Sequence, residues 1–157
     1  MGLVGTEREQ LEAFLDENRE ELVSSLTGLT EEQARRRLVT SLSTPIAILK
    51  HCAAVERAWF QRSLAGRSPE EMDGIANGSD VSFEVGDDET VDSVVAEYRL
   101  AVEQSRRIAA AYDLDDLALH NRRGPLTLRW IYLHMIEELA RHAGHADILR
   151  EQILSER

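Results

Sequence analysis

From Thr6 onward, apolar residues return at three- and four-residue steps: Leu11, Phe14, Leu15, Leu22 and Leu26, with Asn18 the polar member of the stripe. Thr6 followed by Glu9 has the capping-box spacing, in which each side chain bonds the other's backbone N–H, and this predicts a helix over about 7–26. Thr30 with Gln33 repeats the spacing ahead of a short helix near 31–37. Thr44 followed by Pro45 places an N-cap before a residue whose fixed φ suits the first turn, and Ile48, Cys52, Val55 and Trp59 then mark a second long helix over about 45–65. A third, capped by Thr90 and striped by Val94, Tyr98, Ala101, Val102, Ser105 and Ile108, covers about 91–112. The fourth starts near Thr127 and continues to about 155.

Between the second and third long helices, the stretch 66–89 has four glycines, a Ser-Pro, an Asn-Gly and the acidic cluster Asp87, Asp88 and Glu89, so it reads as a long loop. A solvated crossover between bundle ends explains it as well as a functional cover does. Asp113 to Arg123 reads as a polar link, and no segment alternates as a strand would. The expected fold is all-α: one four-helix bundle occupying the 157 residues as a single domain.

Charge narrows the function. The chain carries 29 acidic and 18 basic residues, a formal charge of −11, which repels phosphate backbones and anionic lipid surfaces, so neither nucleic acid nor membrane is an expected partner. With no apolar run near the roughly 20 residues of a membrane span, a cytoplasmic protein is expected. Seventeen of the basic residues are arginine and only Lys50 is lysine, a skew read as compositional background. The single cysteine, Cys52, excludes an internal disulfide and a cysteine-rich metal site, and reads as a small core residue.

The fourth helix breaks its own pattern. From Leu128 its stripe passes Ile131 and Met135, then reaches Glu138, His142 and His145 before Leu149. An ionised carboxylate facing a bundle interior costs several kcal/mol unless a cation, a hydrogen-bond network or solvent offsets its desolvation. Glu138 and His142 stand one turn apart on one face, a spacing that serves a metal ion and an ordinary ion pair equally. His51 is the only histidine in the first three helices, among Ala47, Ile48, Ala54 and Val55, and points to the interior. Two imidazoles and one carboxylate would leave open positions on Zn²⁺, Ni²⁺ or Fe²⁺. His134, one turn before Glu138, is an alternative ligand to His51, or a rim residue; His145 reads as a ligand, an orienting group or a proton relay, with the last two preferred. Glu137 pairs with Arg141 at the surface, His120 is exposed, and Trp59 and Trp130 pack at the core or rim, Trp130 at the mouth of the site.

The segment Ser43 to Phe60, with its Thr44-Pro45 start and His51, together with Leu128 to Glu151 and its His142-Ala-Gly-His145-Ala-Asp147 run, resembles the DinB/YfiT-like metalloenzyme superfamily, in an actinobacterial-type branch. The likeness covers nearly the whole chain. It implies a four-helix bundle, a homodimer, and nickel or zinc held by one histidine of the second long helix and two residues one turn apart on the fourth, here His51, Glu138 and His142. Many relatives have histidine at the position of Glu138; the glutamate form is similar to the mycothiol-dependent maleylpyruvate isomerase branch, which implies a mycothiol-type thiol cofactor.

The expected function is therefore a metal-dependent enzyme, a thiol S-transferase or related hydrolase or isomerase acting on a small electrophilic molecule, with His145 as the proton-handling residue. A non-catalytic metal- or small-molecule-binding stress or resistance protein would share the ligands. A purely structural helical domain would use the histidines as hydrogen-bonded core groups.

Overall fold

Each threonine start signal is used. Thr6 accepts from the Glu9 backbone N–H at 3.3 Å while its own N–H donates to the Glu9 carboxylate at 2.8 Å, opening α1, Glu7–Ser24. Thr30 and Gln33 do the same for α2, Glu31–Ala34, which is a single turn and shorter than the sequence suggests. Thr44 caps α3, Pro45–Glu56, Thr90 caps α4, Val91–Ala109, and Thr127 caps α5, Leu128–Ser155. The computed structural model describes residues 4–156. α1 lies along α5 and α3 along α4, with α3 also against α5, and the core between them is built from Leu15, Leu22, Ile48, Tyr98, Met135 and Leu139. No helix among the described residues is long and apolar enough to cross a membrane.

The second long helix changes pitch inside its expected span. After Glu56 it runs directly into a π-helical stretch, Arg57–Leu64, where the Ala65 N–H donates to the Phe60 carbonyl and the Ser63 hydroxyl to the Ala58 carbonyl, each five residues back. Such widened turns occur mostly as local insertions near functional sites. Here the stretch carries Trp59, Arg62 and Ser63 to the wall of a cleft described below.

Two expectations are corrected. The expected absence of strands gives way to a two-residue antiparallel ladder, β1, Leu117–Ala118, with β2, Leu126–Thr127, joined through Gly124 at φ +90°. Two residues cannot display a period, and the ladder is fixed instead by α5, whose unpaired first-turn N–H groups at Leu128 and Arg129 donate to the carbonyls of Asp116 and Leu114. The stretch 66–89 is not featureless either. It holds two 3₁₀ turns, Pro69–Glu71 and Asp80–Phe83, the second packed on α3. Near its start, the buried Arg57 guanidinium donates to Asp73 at 2.9 Å and to Glu97 of α4 at 2.9 Å, and Gly74 passes so close that a Cβ there would lie 2.7 Å from Arg57 Cζ.

The inward stripe of α1 is Leu15, Arg19 and Leu22, so Phe14, expected inside, is half exposed and a charged residue takes the core position. Arg19 is tolerated because its Nε and Nη2 donate to the two oxygens of Glu56 at 2.7 and 2.8 Å, and Glu56 is fully buried. The fork matches the carboxylate in bidentate fashion, the geometry that best offsets the desolvation of both ions. Removing one partner strands the other charge in the core. Glu56→Ala is therefore expected to cost about 3–5 kcal/mol, read as a fall in the urea midpoint with an unchanged slope.

Candidate metal centre

α3 and α5 face each other where His51 meets Glu138 and His142. One donor atom from each of the three lies within 4.8 Å of the others. The Glu138 Oε1 atom is central, 3.2 Å from His142 Nε2 and 3.6 Å from His51 Nε2. Donors held about 2.0 Å from a tetrahedral ion would stand about 3.3 Å apart, so these separations suit one cation with little side-chain movement.

The tautomer of His51 follows from its neighbours. Ser82, in the second 3₁₀ turn of the 66–89 segment, donates its only hydroxyl proton to the Ser79 carbonyl at 2.6 Å. At the 2.8 Å contact between Ser82 Oγ and His51 Nδ1, the serine must therefore accept, which puts the ring proton on Nδ1 and leaves a lone pair on Nε2, aimed at Glu138. Phe83 stacks on the same imidazole at 4.1 Å and 13°, fixing its plane. His51 is thus oriented as a donor before any ion arrives. His142 is nearly buried, its Nδ1 has no partner among the described residues, and a proton between its Nε2 and Glu138 is what a cation would displace.

The hydrogen bond from His142 holds the Glu138 carboxyl far below the usual carboxylate range, with Arg141 adding to the effect against partial burial. The carboxylate is therefore charged wherever the fold is stable. It can supply one negative charge beside two neutral imidazoles, which suits a divalent transition metal and leaves coordination positions open.

His51 and Glu138 form part of the floor of a cleft of about 720 Å³, within the range of about 300–1,000 Å³ common for small-molecule sites. Trp59, Trp130 and His134 form one wall: the His134 ring stacks on Trp130 at 5.0 Å and meets Trp59 edge-on at 4.8 Å. Trp130, expected at the mouth of the site or in core or rim packing, lines this wall. His134 lies in the cleft but outside the donor cluster, and burial lowers its pKa, which keeps it neutral. Glu137 is exposed and pairs with Arg141 at 2.7 Å, as expected. His120 is exposed in the link.

His145 departs from its expected place. Continuing inward from His142 at the helical period reaches Ala146 and Leu149, both buried, so the three-residue step to His145 leaves the inner face and the residue is exposed. Its ring meets His142 edge-on at 5.7 Å and borders a separate groove with Val39, Ile148 and Leu149. Cys52 is buried beside the site, and burial, then Glu138 and Glu56, push its thiol well above the usual range, so it is no nucleophile. Ser82 was missed because a serine in a glycine-rich segment carries no signal until the fold seats it on α3.

Two imidazoles and a carboxylate thus converge from facing helices of a mostly helical chain. The family model described as mycothiol-S-transferase matches residues 10–154, and the chain belongs to this family. Comparison with curated proteins and with solved structures gives no match.

Because Ser82 orients a donor without touching the ion, Ser82→Ala is expected to weaken zinc binding about 10–100-fold while leaving one equivalent bound at saturation. Competition against a chromophoric chelator measures this directly.

Proposed function

We propose that the protein is a metal-dependent S-transferase that joins a low-molecular-weight thiol of the mycothiol type to a small electrophile, with His51, Glu138 and His142 holding Zn²⁺ or Ni²⁺ within a DinB-like four-helix bundle. The observation that carries this reading is the convergence of three donors, two of which, His51 and Glu138, line an open cleft, in a chain of the mycothiol-S-transferase family. A divalent ion there would act as a Lewis acid that lowers the pKa of a thiol, so that thiolate is available near neutrality.

The chain's own groups supply the rest. Ser82 and Phe83 hold His51 in one tautomer and one plane, which spares the site reorganisation when it binds. Trp59 and Trp130 give the cleft an aromatic wall against which the apolar part of a substrate could pack. As the sulfur–carbon bond forms, the electrophile's leaving group departs with its electron pair, or its π electrons move onto an adjacent atom, and the thiol proton passes to a base. Sequence points to His145 for that role, but His145 stands outside the cleft, whereas His134 is inside it and neutral. In this reading His134 takes the proton and His145 buttresses the ring of His142.

Elemental analysis of protein that has not met a chelator is expected to find near one equivalent of a single transition metal, lost in both His51→Ala and His142→Ala. Its absence in the wild type, after zinc and nickel are offered, defeats the reading. With metal in place, a panel of electrophiles assayed with mycothiol is expected to show turnover that His134→Gln slows by about 10²-fold or more without loss of metal, and that His145→Ala changes far less. A bound metal with no turnover on any thiol and electrophile pair would favour the non-catalytic metal- or ligand-binding alternative.

A further inference from the structure

The cleft is positively charged in a chain whose formal charge is −11. Four of its lining residues are arginines: Arg62, Arg122, Arg123 and Arg141. Arg141 is committed to Glu137 and Glu138. The other three hold no carboxylate among the described residues. Among the described residues, the guanidinium groups of Arg62, Arg122 and Arg123 make no hydrogen bond and no ion pair, while Arg19, Arg57 and Arg129 each hold two carboxylates. With 29 acidic side chains on the protein, leaving three guanidiniums free around one concavity is a local excess of positive charge, brought together from the π-helical end of α3 and the β1–β2 turn. Arg123 also lies over the Trp130 ring, with Cζ 5.7 Å from the centroid, so the charged rim and the aromatic wall are continuous.

We propose that Arg62, Arg122 and Arg123 form a subsite for an anionic group, and that the molecule entering the cleft opposite the thiol is a small organic anion bearing a carboxylate or a phosphate. Planar guanidiniums match both groups through paired hydrogen bonds, and Trp59 and Trp130 offer apolar surface to the remainder of the molecule. Its role as the electrophile rests on the S-transferase reading above; its binding does not, because the arginines belong to none of the donor residues. Positive charge at the mouth would also steer such an anion past the acidic exterior.

Trp59 and Trp130 are the only tryptophans in the chain and both line the cleft, so intrinsic fluorescence reports its occupancy. The full-length protein is titrated with benzoate, phenyl phosphate and the uncharged benzamide, first after chelation, so that no ion competes for the carboxylate, and then loaded with zinc. A saturable change with benzoate or phenyl phosphate, and none at equal concentration with benzamide, is expected; the tighter of the two anions identifies carboxylate or phosphate as the group recognised. Arg122→Gln with Arg123→Gln, both exposed in the link and so not needed for the core, is expected to weaken the anion about tenfold or more. Arg99→Gln, at an exposed arginine of α4 outside the cleft, is expected to bind as wild type. Equal binding of benzamide, no binding of either anion, or wild-type affinity in the double variant overturns the proposal. Anion binding that survives in His51→Ala separates this result from any failure of the metal reading.

Discussion

An ionised carboxylate on the inner side of α5 sets the terms for everything around it. Glu138 cannot be desolvated between packed helices without compensation, and the compensation is visible: the His142 imidazole one turn on, the Arg141 guanidinium beside it, and an opening to a cleft. The carboxylate, with the imidazoles of His51 and His142 beside it and an opening to the cleft, is also what a divalent cation needs. The fold solves one electrostatic problem, and the solution has the form of a metal site.

The buried Arg19–Glu56 pair is a second, independent case of charge inside the core, and the contrast between the two is instructive. There the fork is bidentate on Glu56, the remaining guanidinium nitrogen is taken by Asp16, and Arg19 and Glu56 are both sealed from solvent, which is the arrangement of a structural clamp between α1 and α3. Around Glu138 the donors outnumber the acceptor and one side is open, which is the arrangement of a site that receives something.

Much of this was legible in the order of residues along the chain. The threonine caps, the four long helices, and the polar break at Glu138 and His142 are local patterns, and local patterns survive reading one residue at a time. His51 was legible because it is a lone imidazole on an otherwise apolar helix. What stayed hidden is non-local. Arg19 meets Glu56 across 37 positions, Ser82 meets His51 across 31, and neither serine nor arginine announces a partner so far away. His145 was misplaced for a different reason: alternating steps of three and four tolerate either choice at each turn, and only the buried Ala146 decides it. The arginine skew, read from composition as background, acquires meaning only when the fold shows which guanidiniums are left unpaired.

Among the contacts that moor the segment between α3 and α4 are Asp73 on Arg57, and a second, Ser82 and Phe83 on His51. The second mooring is a donor residue of the proposed site, so the order of the segment and the occupancy of the site are one coupled equilibrium. Whatever fixes the His51 ring tightens residues 66–89, and whatever seats those residues readies the ring. Reciprocity requires the two effects to be equal in free energy. A loop that first reads as a connection between helices would thus serve as a gauge: with the proposed site filled, its susceptibility to proteolysis or to amide exchange would fall.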